Sequence, residues 1–186
     1  MPLFPMTQDV PVLEGRRVRL RPFRPSDSAE RLALGRSAEI VRSFGGDPDG
    51  LPPYAEKEAR HWVERNLAHP HSWAVEVAGR LLGEARLDDL DPEAGRARLA
   101  TGLYDVSQLG KGLGREAIKL VLSHAFGTLG LHRIDLRVLD FNERAIRCYL
   151  ACGFVEDARE RVRIGEDWHD DVIMRILARE YRDQAK

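Results

Sequence analysis

Leu109-Gly-Lys-Gly-Leu-Gly114 lies between an apolar run that reads as a strand, Leu99 to Tyr104, and a long helical pattern, Arg115 to Phe126. Glycines at alternate positions let a backbone turn tightly and leave its N–H groups unobstructed. A helix starting at such a turn adds further unpaired N–H groups and the positive end of its dipole. Strand, glycine turn and helix in this order build a site for phosphate. Two phosphate loops are excluded by spacing. A Walker A loop needs Ser or Thr after Gly-Lys to hold magnesium, and Lys111 is followed by Gly112. A dinucleotide fingerprint needs G-x-G-x-x-G, and Gly110, Gly112 and Gly114 give G-x-G-x-G.

Downstream, Ile134-Asp-Leu-Arg-Val-Leu139 alternates as a strand does. Then comes Asn142-Glu-Arg-Ala-Ile-Arg-Cys-Tyr-Leu-Ala-Cys-Gly-Phe154. Asn142 suits a helix N-cap and Gly153 a C-terminal stop, which leaves a helix of about three turns. A further strand begins near Phe154.

Loop, helix, strand and then N-x-x-A-x-x-x-Y-x-x-x-G-F together resemble the GNAT superfamily of acetyl-CoA-dependent N-acetyltransferases. The start, Val18-Arg-Leu-Arg-Pro22 with Ser26-Asp27, resembles the first strand and helix of its RimJ/RimL-like branch. Trp168-His-Asp-Asp-Val-Ile-Met174 is similar to the last strand of that branch, so the likeness covers roughly residues 15 to 178. The fold it implies is a single α/β domain with a mixed, mostly antiparallel sheet of about seven strands and helices on both faces.

Composition agrees with one soluble domain. The chain has 186 residues, 43% hydrophobic and 32% charged, enough to bury a core. A formal net charge of −1 argues against a nucleic-acid binder working by bulk charge. No apolar run reaches a membrane span, and the N-terminus lacks a basic segment followed by an apolar stretch. A cytoplasmic protein without nucleic-acid or membrane partners is expected. Cys148 and Cys152 share a helix face at neither redox nor zinc spacing, and read as two reduced thiols.

Along the chain, residues 1–10 read as a loose tail, 11–180 as the domain and 181–186 as a C-terminal tail. Arg16 to Phe23 reads as a strand, and Pro25-Ser-Asp27 opens a helix to about Gly35. Phe44 to Pro53, rich in Gly and Pro, is a mobile loop before a helix over Tyr54 to Leu67. Trp73 to Val77 and Arg80 to Leu87 form a hairpin across Ala78-Gly79. Arg96 to Tyr104 leads into the glycine loop, and Val162 to Ile164 and Val172 to Leu177 close the sheet. His169-Asp170-Asp171 reads as an exposed turn, and no metal site is expected, because neighbouring residues of a strand point to opposite faces. His69 and His71 flank Pro70 in a solvated connection.

The resemblance also implies residue roles. Leu109, Gly110, Lys111, Gly112, Leu113, Gly114 and Arg115 would hold the pyrophosphate of acetyl-CoA. Gly102, Leu103 and Tyr104 would pair with the pantetheine arm, and Asn142 would touch it while capping its helix. The family commonly has Gln or Arg where this chain has Leu109, with Gln108 one place early. Tyr149 matches the tyrosine acid. A thiol titrates near about 8.5 and a phenol near about 10, so a phenol can protonate the leaving thiolate. Many relatives carry a glutamate base on the strand before the loop, and Arg98-Leu-Ala-Thr101 has none. Glu84 on the neighbouring strand is the candidate, with Glu39, Asp47, Asp49 or a water chain as alternatives.

The expected activity is direct acetyl transfer to a primary amine without an acyl-enzyme, since neither cysteine has a basic partner nearby in sequence. A protein N-terminus is the first acceptor implied. A polyamine or an aminoglycoside is the alternative, and a CoA-binding module without catalysis is the alternative of a different class. Acidic residues between Asp47 and Glu58 and at Asp88, Asp89 and Asp91 are positioned to attract a polycation. Dimers are common in the family, so a homodimer is among the implied partners.

Overall fold

A computed structural model describes residues 10–184. Eight strands form one sheet in the order β1-β2-β3-β4-β5-β6-β8-β7. The strands are β1 (Leu13–Glu14), β2 (Val18–Arg21), β3 (Ser72–Val77), β4 (Arg80–Asp91), β5 (Arg96–Leu103), β6 (Arg133–Leu139), β7 (Val155–Ile164) and β8 (Asp167–Leu177). The helices are α1 (Asp27–Leu34), α2 (Ala38–Ser43), α3 (Glu56–Leu67), α4 (Leu113–Gly127), α5 (Glu143–Ala151) and α6 (Ala178–Gln184). The eighth strand, beyond the seven or so expected, is β1. Its two residues pair with Arg19 and Leu20. No helix among the described residues is long and apolar enough to cross a membrane.

Neighbouring strands run antiparallel except β5 and β6, which are parallel. That pairing spans three residues, from Arg96↔Arg133 to Arg98↔Asp135. Beyond it the strands are no longer partners, so the stretch from Leu99 to Leu103 has lost its β6 neighbour. The connection between them is the glycine loop and α4, the kind of crossover a parallel pair requires.

Alternation divides the side chains between two faces. Val18, Leu20, Trp73, Val75, Ala97, Leu99, Ile134 and Leu136 point into the main core with Ile118, Val121 and Leu122 of α4. On the opposite face a smaller cluster joins Phe23, Ala74 and Leu81 to Trp62 and Val63 of α3. Helices therefore cover both faces, α4 on one and α1 with α3 on the other. Ala78 and Gly79 both take positive φ in the β3–β4 turn, as a two-residue hairpin of the expected hand requires.

Several expectations shift. Ala38–Ser43, assigned no element from sequence, is α2, with the Ser37 hydroxyl accepting from the Ile40 amide. Asp167–Leu177 is one strand, so His169-Asp170-Asp171 lies within β8 and is not a turn. Asp170 there pairs with Arg159 and Arg161 of β7, and Asp171 with Arg137. The tail expected over residues 1–10 lies outside the described residues except for Val10, which packs against the main core. At the other end the boundary at residue 180 falls inside α6, whose Tyr181 ring lies 5.3 Å from that of Phe126.

The start of α1 is fixed by a buried ion pair. Arg21 Nη1 and Nη2 donate to both Asp27 oxygens at 2.9 and 2.8 Å, and Nε donates to Glu76 at 2.5 Å. Asp27 Oδ2 also accepts the Arg24 amide at 2.7 Å. Removing one partner of such a pair strands the other, at a cost of roughly 3–5 kcal/mol. Asp27→Ala is expected to lower unfolding free energy by about 3 kcal/mol, the smaller end because Glu76 still pairs with Arg21, as read from urea denaturation.

Candidate active site

Where β5 and β6 part, a cavity of about 370 Å³ opens. The end of β5 lines it with Thr101, Gly102 and Leu103. The loop and the start of α4 contribute Gln108, Leu109, Gly110, Gly112, Leu113, Gly114 and Arg115. From α5 and its cap come Asn142, Arg144, Cys148 and Tyr149, and from α2 and its end Ile40, Ser43 and Phe44.

The loop is held in a conformation that suits glycine. Gly110 and Gly112 have φ of 75° and 80°, in the left-handed region, and Gly112 is the N-cap of α4. The first helical bond runs from the Glu116 amide to the Gly112 carbonyl at 3.1 Å. Among the described residues nothing accepts from the amides of residues 110–115, and no side chain caps the helix. A row of unpartnered donors at a helix N-terminus, beside a cavity, is an arrangement that can receive an anion. Lys111 does not line it: its carbonyl accepts from Arg17, and its ammonium lies 3.3 Å from Gln108 Oε1.

The Asn142 carboxamide is engaged at both ends. Oδ1 accepts the Ala145 amide at 3.2 Å, capping α5, and Nδ2 donates to the Ser43 carbonyl at 3.1 Å. Arg144 pairs with Glu39 at 2.5 Å alongside. These contacts tie α5 to α2 across the cavity. Tyr149 projects from the last turn of α5, with its ring edge-on to Phe154 at 5.9 Å. Its hydroxyl has no hydrogen bond among the described residues. Burial, with the two nearby thiols, pushes the phenol well above its ordinary range. It stays protonated at any working pH.

Glu84 and Tyr104 are not brought into the cavity. Both lie on the α1–α3 face. Glu84 is 7% exposed and accepts from Asn66 Nδ2 at 2.8 Å and from the Tyr104 hydroxyl at 3.0 Å. Arg86 lies 3.0 Å away and Arg65 3.8 Å away. Tyr104 packs edge-on to Trp62 and under the Arg31 guanidinium, 4.3 Å from its ring centre. Burial, then Glu84, raises its phenol too. The two sites meet at Gly102. A Cβ there would lie 3.1 Å from Phe44 Cζ and 3.4 Å from the Tyr104 hydroxyl oxygen.

Sequence reasoning did not find α2 or Phe44. The available signal was a large apolar residue before Gly45-Gly46, and Phe44 is 58% exposed at the cavity mouth. Of the other proposed bases none lines the cavity: Glu39 pairs with Arg144, Asp47 accepts the Asp49 amide at 2.9 Å, and Asp49 lies in the same loop. Cys148 lines the cavity, and Cys152 is buried behind it. Among the described residues no three His, Cys, Asp or Glu side chains gather as a metal site needs.

Residues 17–155 match the family described as "Acetyltransferase (GNAT) domain". Probable N-acetyltransferase YjcK of Bacillus subtilis is 26% identical over 180 residues, 89% of this chain and 97% of that protein. Spermidine N(1)-acetyltransferase of Vibrio cholerae is 35% identical over 79 residues, 41% of this chain and 46% of that protein. The crystal structure of a Vibrio cholerae spermidine N-acetyltransferase with CoA and spermine shares the fold at a TM-score of 0.73. It is 24% identical, covering 90% of this chain and 99% of that one.

Gly112→Asp tests the anion site. A left-handed non-glycine costs about 1–2 kcal/mol, and the added carboxylate, on the Arg17 side of the loop, puts a second negative charge at the helix N-terminus. Calorimetric affinity for CoA is expected to fall roughly 100-fold, with the melting temperature lowered by roughly 2–8 °C.

Proposed function

The chain belongs to the GNAT acetyltransferase family, and on that premise we propose that it acetylates peptide N-termini by direct transfer from acetyl-CoA. The observation that carries this reading is the row of unpartnered amides from Gly110 to Arg115 beside the free edge of β5. The pyrophosphate takes those amides. The pantetheine arm, with its two amide groups, lies along Leu99–Leu103 as a strand would. This carries the thioester to Gly102, between Tyr149 and Tyr104.

Because phosphate is held by main-chain donors, Leu109 in place of Gln or Arg loses little. Tyr149 is the acid in this mechanism. Its proton goes to the sulfur as the C–S bond breaks. The incoming amine loses its proton to the Tyr104 oxygen while the Tyr104 proton passes to Glu84, a relay set by their 3.0 Å hydrogen bond. Asn66 and Arg86 hold the Glu84 carboxylate in place for it.

The charges near the mouth support this acceptor class. A polycation needs unpaired carboxylates, and of those singled out above only Asp47 and Asp49 make no ion pair among the described residues. Glu39 pairs with Arg144, Glu143 with Arg147 and Glu58 with Arg36. Asp88, Asp89 and Asp91 pair with Arg86, Arg98 and Arg96 and stand at the other end of β4, away from the mouth. Phe44 and Ile40 offer apolar contact instead, suited to the first side chain of a peptide. A polyamine acceptor is the second reading, favoured by the spermidine acetyltransferases among the relatives.

Thiol release from acetyl-CoA is the test, with short peptides, spermidine and an aminoglycoside as acceptors. Release with peptides at a kcat/KM at least tenfold above spermidine is expected, and the reverse order selects the second reading. Tyr149→Phe is expected to lower kcat by about 10²–10³-fold with the CoA affinity within about threefold. Glu84→Gln is expected to lower kcat by about 10²-fold, least at high pH where the amine arrives deprotonated, as a pH–rate profile would show.

A further inference from the structure

The β1–β2 turn reaches across the sheet to the first turn of α4. The Arg17 and Val18 amides donate to Glu116 Oε1 at 2.6 and 3.0 Å, and Arg17 Nε donates to Oε2 at 3.2 Å. Arg17 Nη1 continues to the Lys111 carbonyl at 3.0 Å. Its Nη2 stands 3.4 Å from the point where a Cβ on Gly112 would lie. The turn closes tightly over the carboxylate. A Cβ at Gly15 would lie 2.6 Å from Glu116 Oε1 and 2.9 Å from the Val18 carbonyl oxygen.

Glu116 is otherwise misplaced. A carboxylate in the first turn of a helix takes up the positive end of its dipole, and so competes with a phosphate that needs the same field. Although partial burial opposes it, the Arg17 and Val18 donors hold the Glu116 carboxyl below the usual carboxylate range. It is therefore ionised under working conditions, and its charge must be offset.

We infer that Arg17 is a positioning residue for the phosphate loop: it neutralises Glu116 at the helix start and props the Lys111–Gly112 backbone from behind. The inference rests on the reading of the loop as the acetyl-CoA pyrophosphate site. Arg17 lies outside the cavity lining, so its effect is on cofactor affinity and not on the chemical step.

The experiment is a calorimetric titration of CoA into the unsubstituted chain, Arg17→Ala, Arg17→Lys and Arg17→Ala/Glu116→Gln, with melting temperatures recorded without ligand. Arg17→Ala is expected to raise the Kd for CoA about tenfold, and the KM for acetyl-CoA with it, while kcat at saturation stays within about twofold. Arg17→Lys, which keeps the charge, is expected to recover part of the loss. The double variant, freed of the uncompensated carboxylate, is expected to bind CoA at least threefold tighter than Arg17→Ala. A purely structural role predicts the opposite, since the double variant loses both sides of the junction. An Arg17→Ala Kd within twofold of the original, or a double variant that binds no better than the single one, overturns the inference. Failure of the unsubstituted chain to bind CoA overturns the underlying reading of the loop as well.

Discussion

Three residue pairs join β5 to β6, and the arrangement of the site follows from where that pairing stops. A parallel pair cannot be closed by a tight turn, so the chain between the strands leaves the sheet and returns as α4. Once the strands part after Arg98 and Asp135, each presents unpaired main-chain groups to the gap. Unpaired N–H and C=O groups are costly when buried and useful when a ligand can meet them. The gap is therefore open, about 370 Å³, with the end of β5 and the glycine loop in its lining. The glycine loop adds its free amides at one end, and Tyr149 its phenol from α5.

The scaffold around this gap is held by polar contacts between segments distant in sequence. Asn142 and Arg144 fasten α5 to α2, so the helix carrying Tyr149 and the segment carrying Phe44 share one frame. Arg21 holds the start of α1 to β2 and β3 through Asp27 and Glu76. Arg17 and Glu116 join the β1–β2 turn to the loop. On the far side of Gly102, the Asn66, Glu84 and Tyr104 hydrogen bonds set a hydroxyl against the end of β5. Each junction depends on long-range pairing of charged or amide groups, whereas the strands and α4 pack through apolar alternation.

Much of this was legible in the sequence, for local reasons. Gly110 and Gly112 stand at positive φ, and Asn142 caps α5 through its own side chain. The Ala78-Gly79 hairpin follows from turn chemistry alone. Tyr149 and Asn142 were singled out through the family resemblance that their register with Gly153-Phe154 carries, and one short helix with its cap brings both to the cavity. What was missed depends on tertiary context. α2 is six residues long with one buried side chain, Ile40, too short for a periodic signal. Two strand residues at Leu13–Glu14 carry no alternation to read. The side on which Glu84 emerges depends on the β3–β4 register, which shifts between Val75 and Glu76, so its place opposite the cavity could not be deduced. Likewise, no local rule links Arg17 to Glu116, 99 residues apart.

The central claim is that the main chain of the glycine loop receives the phosphates. Amide hydrogen exchange with and without CoA tests it most directly, because it reads those donors themselves. Without ligand the amides of residues 110–115 have no acceptor among the described residues and should exchange rapidly. With saturating CoA they should slow by at least tenfold, while β7 and β8 exchange as before. Slowing elsewhere with no change at residues 110–115 would contradict the account.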